Sequence, residues 1–182
     1  MKNKADIFKL KKISLELKKN ILEISFNKKT HHIGSCLSCT DILTVLYFNF
    51  MKIKKGKINQ NDKFIMSKGH AALVYYLMLM KKNFFSKKFL LKEYLSDNGK
   101  FGGHPDTNSS LGIDFCSGSL GNGLSVASGM AYTFKKDKKN NKVFILIGDG
   151  ECNEGIIWES ALFSAQQKLD NLYAILDYNK LQ

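Results

Sequence analysis

Arginine is absent from the chain: all 28 basic side chains are lysine, set against 16 acids. Arginine is the usual bidentate reader of phosphates and guanines, so its absence argues against a nucleic-acid reader. The lysines are scattered apart from short clusters such as "FKKDKKNNK", and the net charge of +12 reads as solvated surface. Long apolar runs are also missing. The longest, "AALVYYLMLM" at 71–80, falls well short of the ~18 residues of a membrane span. The basic N-terminus has neither the continuous apolar core of a secretory signal nor the arginine-rich, acid-poor bias of a transit peptide. These absences predict a cytoplasmic protein with no membrane and no nucleic-acid partner. Cysteine is sparse. "CLSC" (Cys36, Cys39) has no second ligand pair and no thioredoxin-like context, and Cys116 and Cys152 stand alone. They read as small buried or semi-buried thiols, without redox or zinc chemistry.

The 182 residues predict one domain with a sizeable core. Residues 6–25 place Ile7, Leu10, Ile13, Leu17, Ile21 and Ile24 on one helical face. "NKKTHHIGSCLSCT" reads as a polar loop, and "DILTVLYFNFM" as the apolar helix after it. "KFIMS" is a short strand candidate, and "KGHAALVYYLMLMKK" a buried helix with a histidine near its start. Another short helix fits 84–95. The stretch 97–123 has no periodicity, is rich in glycine and holds the only proline, Pro105. A loop that long in one domain points to function. A helix at "LSVASGMAYTFKK", a strand at "KVFILI", a helix at 156–168 and a second buried strand at "LYAIL" complete the chain.

The last forty residues are therefore a strand–helix–strand unit. A right-handed crossover makes its strands parallel, with both C-terminal ends on the ligand-binding edge of an open sheet. Asp149 follows the first strand and Asn179 the second. A carboxylate and an amide oxygen are hard ligands that suit Mg²⁺, which fills its octahedron with water and phosphate oxygens. Gly148 and Gly150 would let a diphosphate approach the backbone. Asp149 can equally be a helix cap and Asn179 a turn residue; their pairing favours metal plus diphosphate. "SGSLGNGLS" opens a helix but does not follow G-x-G-x-x-G, so a nicotinamide or flavin site is disfavoured. His32, His70 and His104 each neighbour glycine in "HHIG", "KGHA" and "GHPD". Such loop or helix-start positions suit proton transfer and hydroxyl binding.

Five segments in order, "HIGSCLSCTDILTVLYF", "DKFIMSKGHAALVYY", "GKFGGHPD", "GSLGNGLSVASGMA" and "GDGECNEG…DYNKLQ", resemble the N-terminal, diphosphate-binding half of transketolase in its split-subunit form. The resemblance runs over about residues 8–182. It implies an α/β fold with a mostly parallel sheet flanked by helices, as one incomplete diphosphate- and metal-side domain over 1–182 that is truncated at its C-terminus. It implies thiamine diphosphate and Mg²⁺, with Asp149, Asn179 and the backbone carbonyl of Leu181 on the metal. Gly148 and Gly150 fall by the diphosphate, and Gly118 and Leu120 by the cofactor rings. His32, His70 and His104 line the substrate channel, His70 also touching the cofactor. Glu154 matches an interface glutamate linked to cofactor activation. The implied reaction moves a two-carbon ketol unit from a ketose phosphate to an aldose phosphate. The implied partner is the C-terminal, pyrimidine-binding half, in a dimer or heterotetramer, and the chain alone is expected to be inactive. The alternatives are a 1-deoxyxylulose-5-phosphate synthase-like enzyme and a non-catalytic remnant that binds only a partner.

Overall fold

The computed structural model describes residues 6–180. Helix α1 (Ile7–Lys28) begins where the Asp6 carboxylate accepts the Lys9 amide, and ends where Lys29 turns left-handed and the Thr30 amide reaches back to the Ser25 carbonyl. Its inner stripe of Leu17, Ile21 and Ile24 is fully buried. Burying each such side chain is worth about 1.5–3 kcal/mol.

Helix α2 (Ile33–Val45) starts earlier than the sequence suggests, inside the supposed polar loop. The helix tolerates its polar residues because they bond to their own backbone. Thr40 Oγ1 donates to the Cys36 carbonyl at 2.7 Å, Thr44 Oγ1 to Thr40 at 2.8 Å, and Cys39 Sγ to Ser35 at 3.2 Å. Helical structure continues through Phe50, and Ile33–Phe50 is long and apolar enough to cross a membrane by length and composition. Cys36, Cys39, Leu43 and Tyr47 lie in the protein core, which accounts for that apolarity.

Three parallel strands follow the order β1 (Lys63–Met66), β2 (Val143–Gly148), β3 (Leu172–Asp177). β2 lies in the middle. Lys63 pairs with Val143, Val143 with Leu172, and Gly148 with Asp177. Alternation along β2 divides the core. Phe144 and Leu146 face a layer built from α1, α2 and α3 (Ala72–Lys81), with α4 (Lys87–Glu93) beside it. Val143, Ile145 and Ile147 face α5 (Asn122–Lys136) and α6 (Gly155–Gln166). Helices thus flank both faces of a parallel sheet, as the sequence predicts.

β3 departs from its expected burial. It is an edge strand, with Tyr173 39% and Leu176 45% exposed. Cys116 is exposed where a buried or semi-buried thiol was expected. The stretch 97–123 is irregular up to the start of α5, apart from one helical turn at Ser109–Leu111 and two isolated bridges, Phe101 to Tyr94 and Asn108 to Ile113.

Candidate functional site

The loops leaving β1 and β2, the end of β3 and the N-terminal end of α5 meet at one edge of the sheet. Asp149 stands one residue beyond β2, where it caps a short turn by accepting the Gly150 amide at 3.2 Å. Its other carboxylate oxygen accepts the Lys180 amide at 3.0 Å, across 31 positions of sequence. The two strand exits are thereby tied together, with Asn179 next in chain to the tie. The Asn179 amide donates to the Asp177 carbonyl at 3.1 Å. Leu181 lies outside the described residues. Each Asp149 oxygen uses one lone pair on a backbone amide and keeps capacity for a cation. Among the described residues, no three His, Cys, Asp or Glu side chains converge as a metal cage. A cation at Asp149 would draw its other ligands from amide, backbone, water or phosphate oxygens, the pattern of Mg²⁺.

The glycines differ from one another. Gly148 is buried and its amide donates to Glu151 at 2.8 Å, so this N–H is engaged within the protein. Gly121 has φ +86°, and a Cβ there would sit 2.8 Å from the Glu154 Cβ. Only glycine fits that start to α5. Glu154 itself is exposed and packs against Gly121 at the start of α6. Gly118 has nothing within 4 Å of an added Cβ, and Leu120 is exposed. That loop offers open space.

The histidines converge from three segments. His32 begins α2 in a left-handed conformation, φ 62°. Its ring lies 5.3 Å from that of His70, which sits half-buried in the turn at Gly69–Ala71. His104 is exposed on a loop held by Tyr76, whose hydroxyl donates to the carbonyls of Gly102 (3.2 Å) and His104 (3.1 Å). Burial pulls the His70 pKa down to about 4, and the charges of Lys68, His32 and His104 add to the fall while Asp177 opposes it. His70 is therefore neutral at pH 7, able to accept a proton or to donate from one nitrogen. Beside it the Ser117 hydroxyl is buried with no partner, and an added Cβ on Gly69 would lie 2.7 Å from it.

Sequence reasoning missed the buried polar residues under this edge. Lys68, two residues beyond β1, pairs with Asp177, the last residue of β3, at 2.5 Å. Asp177 also accepts Ser38 Oγ at 2.8 Å. Glu151 accepts Ser67 Oγ at 2.5 Å. A charged residue at the end of an apolar run, as in "FIMSK" and "AILD", was the available signal.

The family model that matches residues 20–182 is described as "Transketolase, thiamine diphosphate binding domain". The chain is 44% identical over 171 residues to an apulose-4-phosphate transketolase subunit of Phocaeicola vulgatus, covering 91% of this chain and 59% of that one. It is 43% identical over 155 residues to human transketolase, covering 82% of this chain and 24% of that protein. The crystal structure of transketolase from Campylobacter jejuni superposes with a TM-score of 0.87 at 28% identity, covering 95% of this chain and 28% of that one. The chain thus spans about three fifths of the Phocaeicola vulgatus subunit and about a quarter of human transketolase.

Proposed function

The chain belongs to the thiamine diphosphate-binding domain family of transketolase, and we propose that it is the diphosphate- and metal-holding part of a two-component transketolase. One observation carries the reading: Asp149 closes onto the backbone beyond β3, bringing a carboxylate and the Asn179 segment to one point of the ligand edge.

The residues present fit the cofactor. Asp149 and Asn179 would hold Mg²⁺, with the Leu181 carbonyl as a further ligand. The open backbone at Gly118 and the orphan hydroxyl of Ser117 supply room and a hydrogen-bonding atom beside the histidines. When bound, thiamine diphosphate supplies the carbon nucleophile that carries a two-carbon ketol unit between sugar phosphates. The chain's own residues bind and orient. The neutral His70 accepts or donates a proton at a ring nitrogen, and His32 and His104 hold substrate hydroxyls at the open side of the cluster. Gly150 and the net positive chain favour a diphosphate. Glu154, at the start of α6, faces the partner and links the two components.

The partner is the pyrimidine-binding component, a reading supported by the Phocaeicola vulgatus relative, whose name makes it one subunit of its transketolase. Apolar surface for a partner exists on α6, where Trp158 is 60% and Leu162 73% exposed. The chain alone is inactive on this reading. The test mixes the full-length protein with its partner component, xylulose 5-phosphate and ribose 5-phosphate, and measures sedoheptulose 7-phosphate with each component omitted in turn. Turnover that needs the partner, Mg²⁺ and thiamine diphosphate is expected. Turnover by the 182-residue chain alone overturns the two-component reading, and no turnover by the full pair favours a non-catalytic remnant.

A further inference from the structure

Glu151 has no part in the chemistry above, yet it is 1% exposed, and no lysine or histidine among the described residues forms an ion pair with it. An isolated buried carboxylate is costly, and donors must compensate. Here three do, each from a different segment. Oε1 accepts Ser67 Oγ at 2.5 Å, at the exit of β1, and the Gly121 amide at 3.0 Å, where α5 begins. Oε2 accepts the Gly148 amide at 2.8 Å, at the exit of β2. Gly121 closes the loop that carries Gly118 and Leu120, Gly148 precedes Asp149, and Ser67 precedes the turn that carries His70.

We infer that Glu151 is a positioning residue: one buried carboxylate sets the Gly118–Gly121 loop against the strand end that carries Asp149 and against the histidine turn. It touches no reacting atom. Glutamine would keep the size but not the pattern. In one orientation its NH₂ faces the Gly148 N–H; in the other it faces the Gly121 N–H. Either way a buried backbone amide loses its acceptor. Aspartate is one methylene too short to reach both amides.

The cofactor arm of the test rests on the function proposed above; the other arm does not. Wild type, Glu151→Gln, Glu151→Asp and Ser67→Ala are compared in the full-length protein with its partner component. Hydrogen exchange of the cofactor-free protein reads the Gly121 and Gly148 amides. Either Glu151 variant is expected to speed exchange at one or both while the α1–α3 layer is unchanged. Calorimetry with thiamine diphosphate and Mg²⁺ is expected to show about tenfold or weaker binding in the Glu151 variants, the scale of losing one hydrogen bond to a charged group. Ser67→Ala keeps both amide bonds and should leave exchange at Gly121 and Gly148 nearly as in wild type. Unchanged exchange overturns the clamp. Faster local exchange with wild-type affinity overturns the positioning role. A wild type that binds no thiamine diphosphate overturns the functional reading and the positioning role together, and exchange then decides the clamp alone.

Discussion

Replacing Asp177 with alanine leaves the Lys68 ammonium buried without its counter-charge. Both side chains are almost wholly enclosed, at 2% and 6% exposure, with N and O 2.5 Å apart. At an effective dielectric of about 20 that separation gives about 7 kcal/mol of gross attraction, most of it spent on desolvating the two ions. The net value of the pair is therefore small, whereas the cost of removing one partner is about 3–5 kcal/mol. For a domain of this size that corresponds to a fall of about 6–20 °C in thermal midpoint. The double variant Lys68→Met/Asp177→Leu removes both charges and should recover most of the loss; Ser38 is only half-buried and can turn to water. Thermal and urea unfolding of wild type, single and double variants would measure this. A second readout follows from the Lys68 charge, which helps hold the His70 pKa down at about 4. Lys68→Met should raise that pKa, read by NMR titration of the ring. An Asp177→Ala loss under about 1 kcal/mol, a double variant as unstable as the single, or an unmoved His70 would refute the reasoning.

Asp149→Ala should abolish metal-dependent thiamine diphosphate binding in the assembled protein. It should cost only about 1 kcal/mol of stability, because the two amides it accepts lie near the surface; calorimetry with unchanged affinity would remove Asp149 from the site. His104→Ala should lower turnover more than cofactor affinity, since Tyr76 holds that loop through its carbonyls and not through the imidazole; equal turnover would make His104 structural. Between pH 6.5 and about 4 the unfolded chain protonates His70 while the folded chain does not. Stability should therefore fall as pH drops through that window, and His70→Gln should flatten the fall in thermal midpoint; an unchanged slope would contradict the depressed pKa.

What the sequence made legible was local. β2 shows as an unbroken apolar run, α1 as a stripe at helical spacing, and the site loops as glycine, histidine and acid at strand ends. The parallel pairing of β2 with β3 followed from the length of the crossover between them. The start of α2 was not legible, because "GSCLSCT" is polar by composition, and the bonds of its Cys39 thiol and Thr40 hydroxyl to carbonyls one turn back exist only once the helix has formed. The exposure of β3 was not legible either. "LYAIL" reads the same whether a strand is covered on both sides or stands at an edge, and its neighbours decide which.

The buried charges were least legible, and for a physical reason. Lys68 meets Asp177 across 109 positions, and Ser67 meets Glu151 across 84. No periodicity spans such distances; only the parallel register does, by setting the end of β3 beside the end of β2 and the end of β1 on β2's other side. Asp149 and the histidines stood out because they lie in loops at one edge of the sheet, and loops carry their chemistry in short motifs. The residues beneath them do a different task. Lys68 shifts His70, Asp177 holds Lys68, and Glu151 joins three loops, none of them exposed to what the loops would bind. Such residues gain their roles only when the strands are aligned, so a one-residue slip of β3 on β2 would remove Asp177 from Lys68 while leaving every motif in the sequence unchanged.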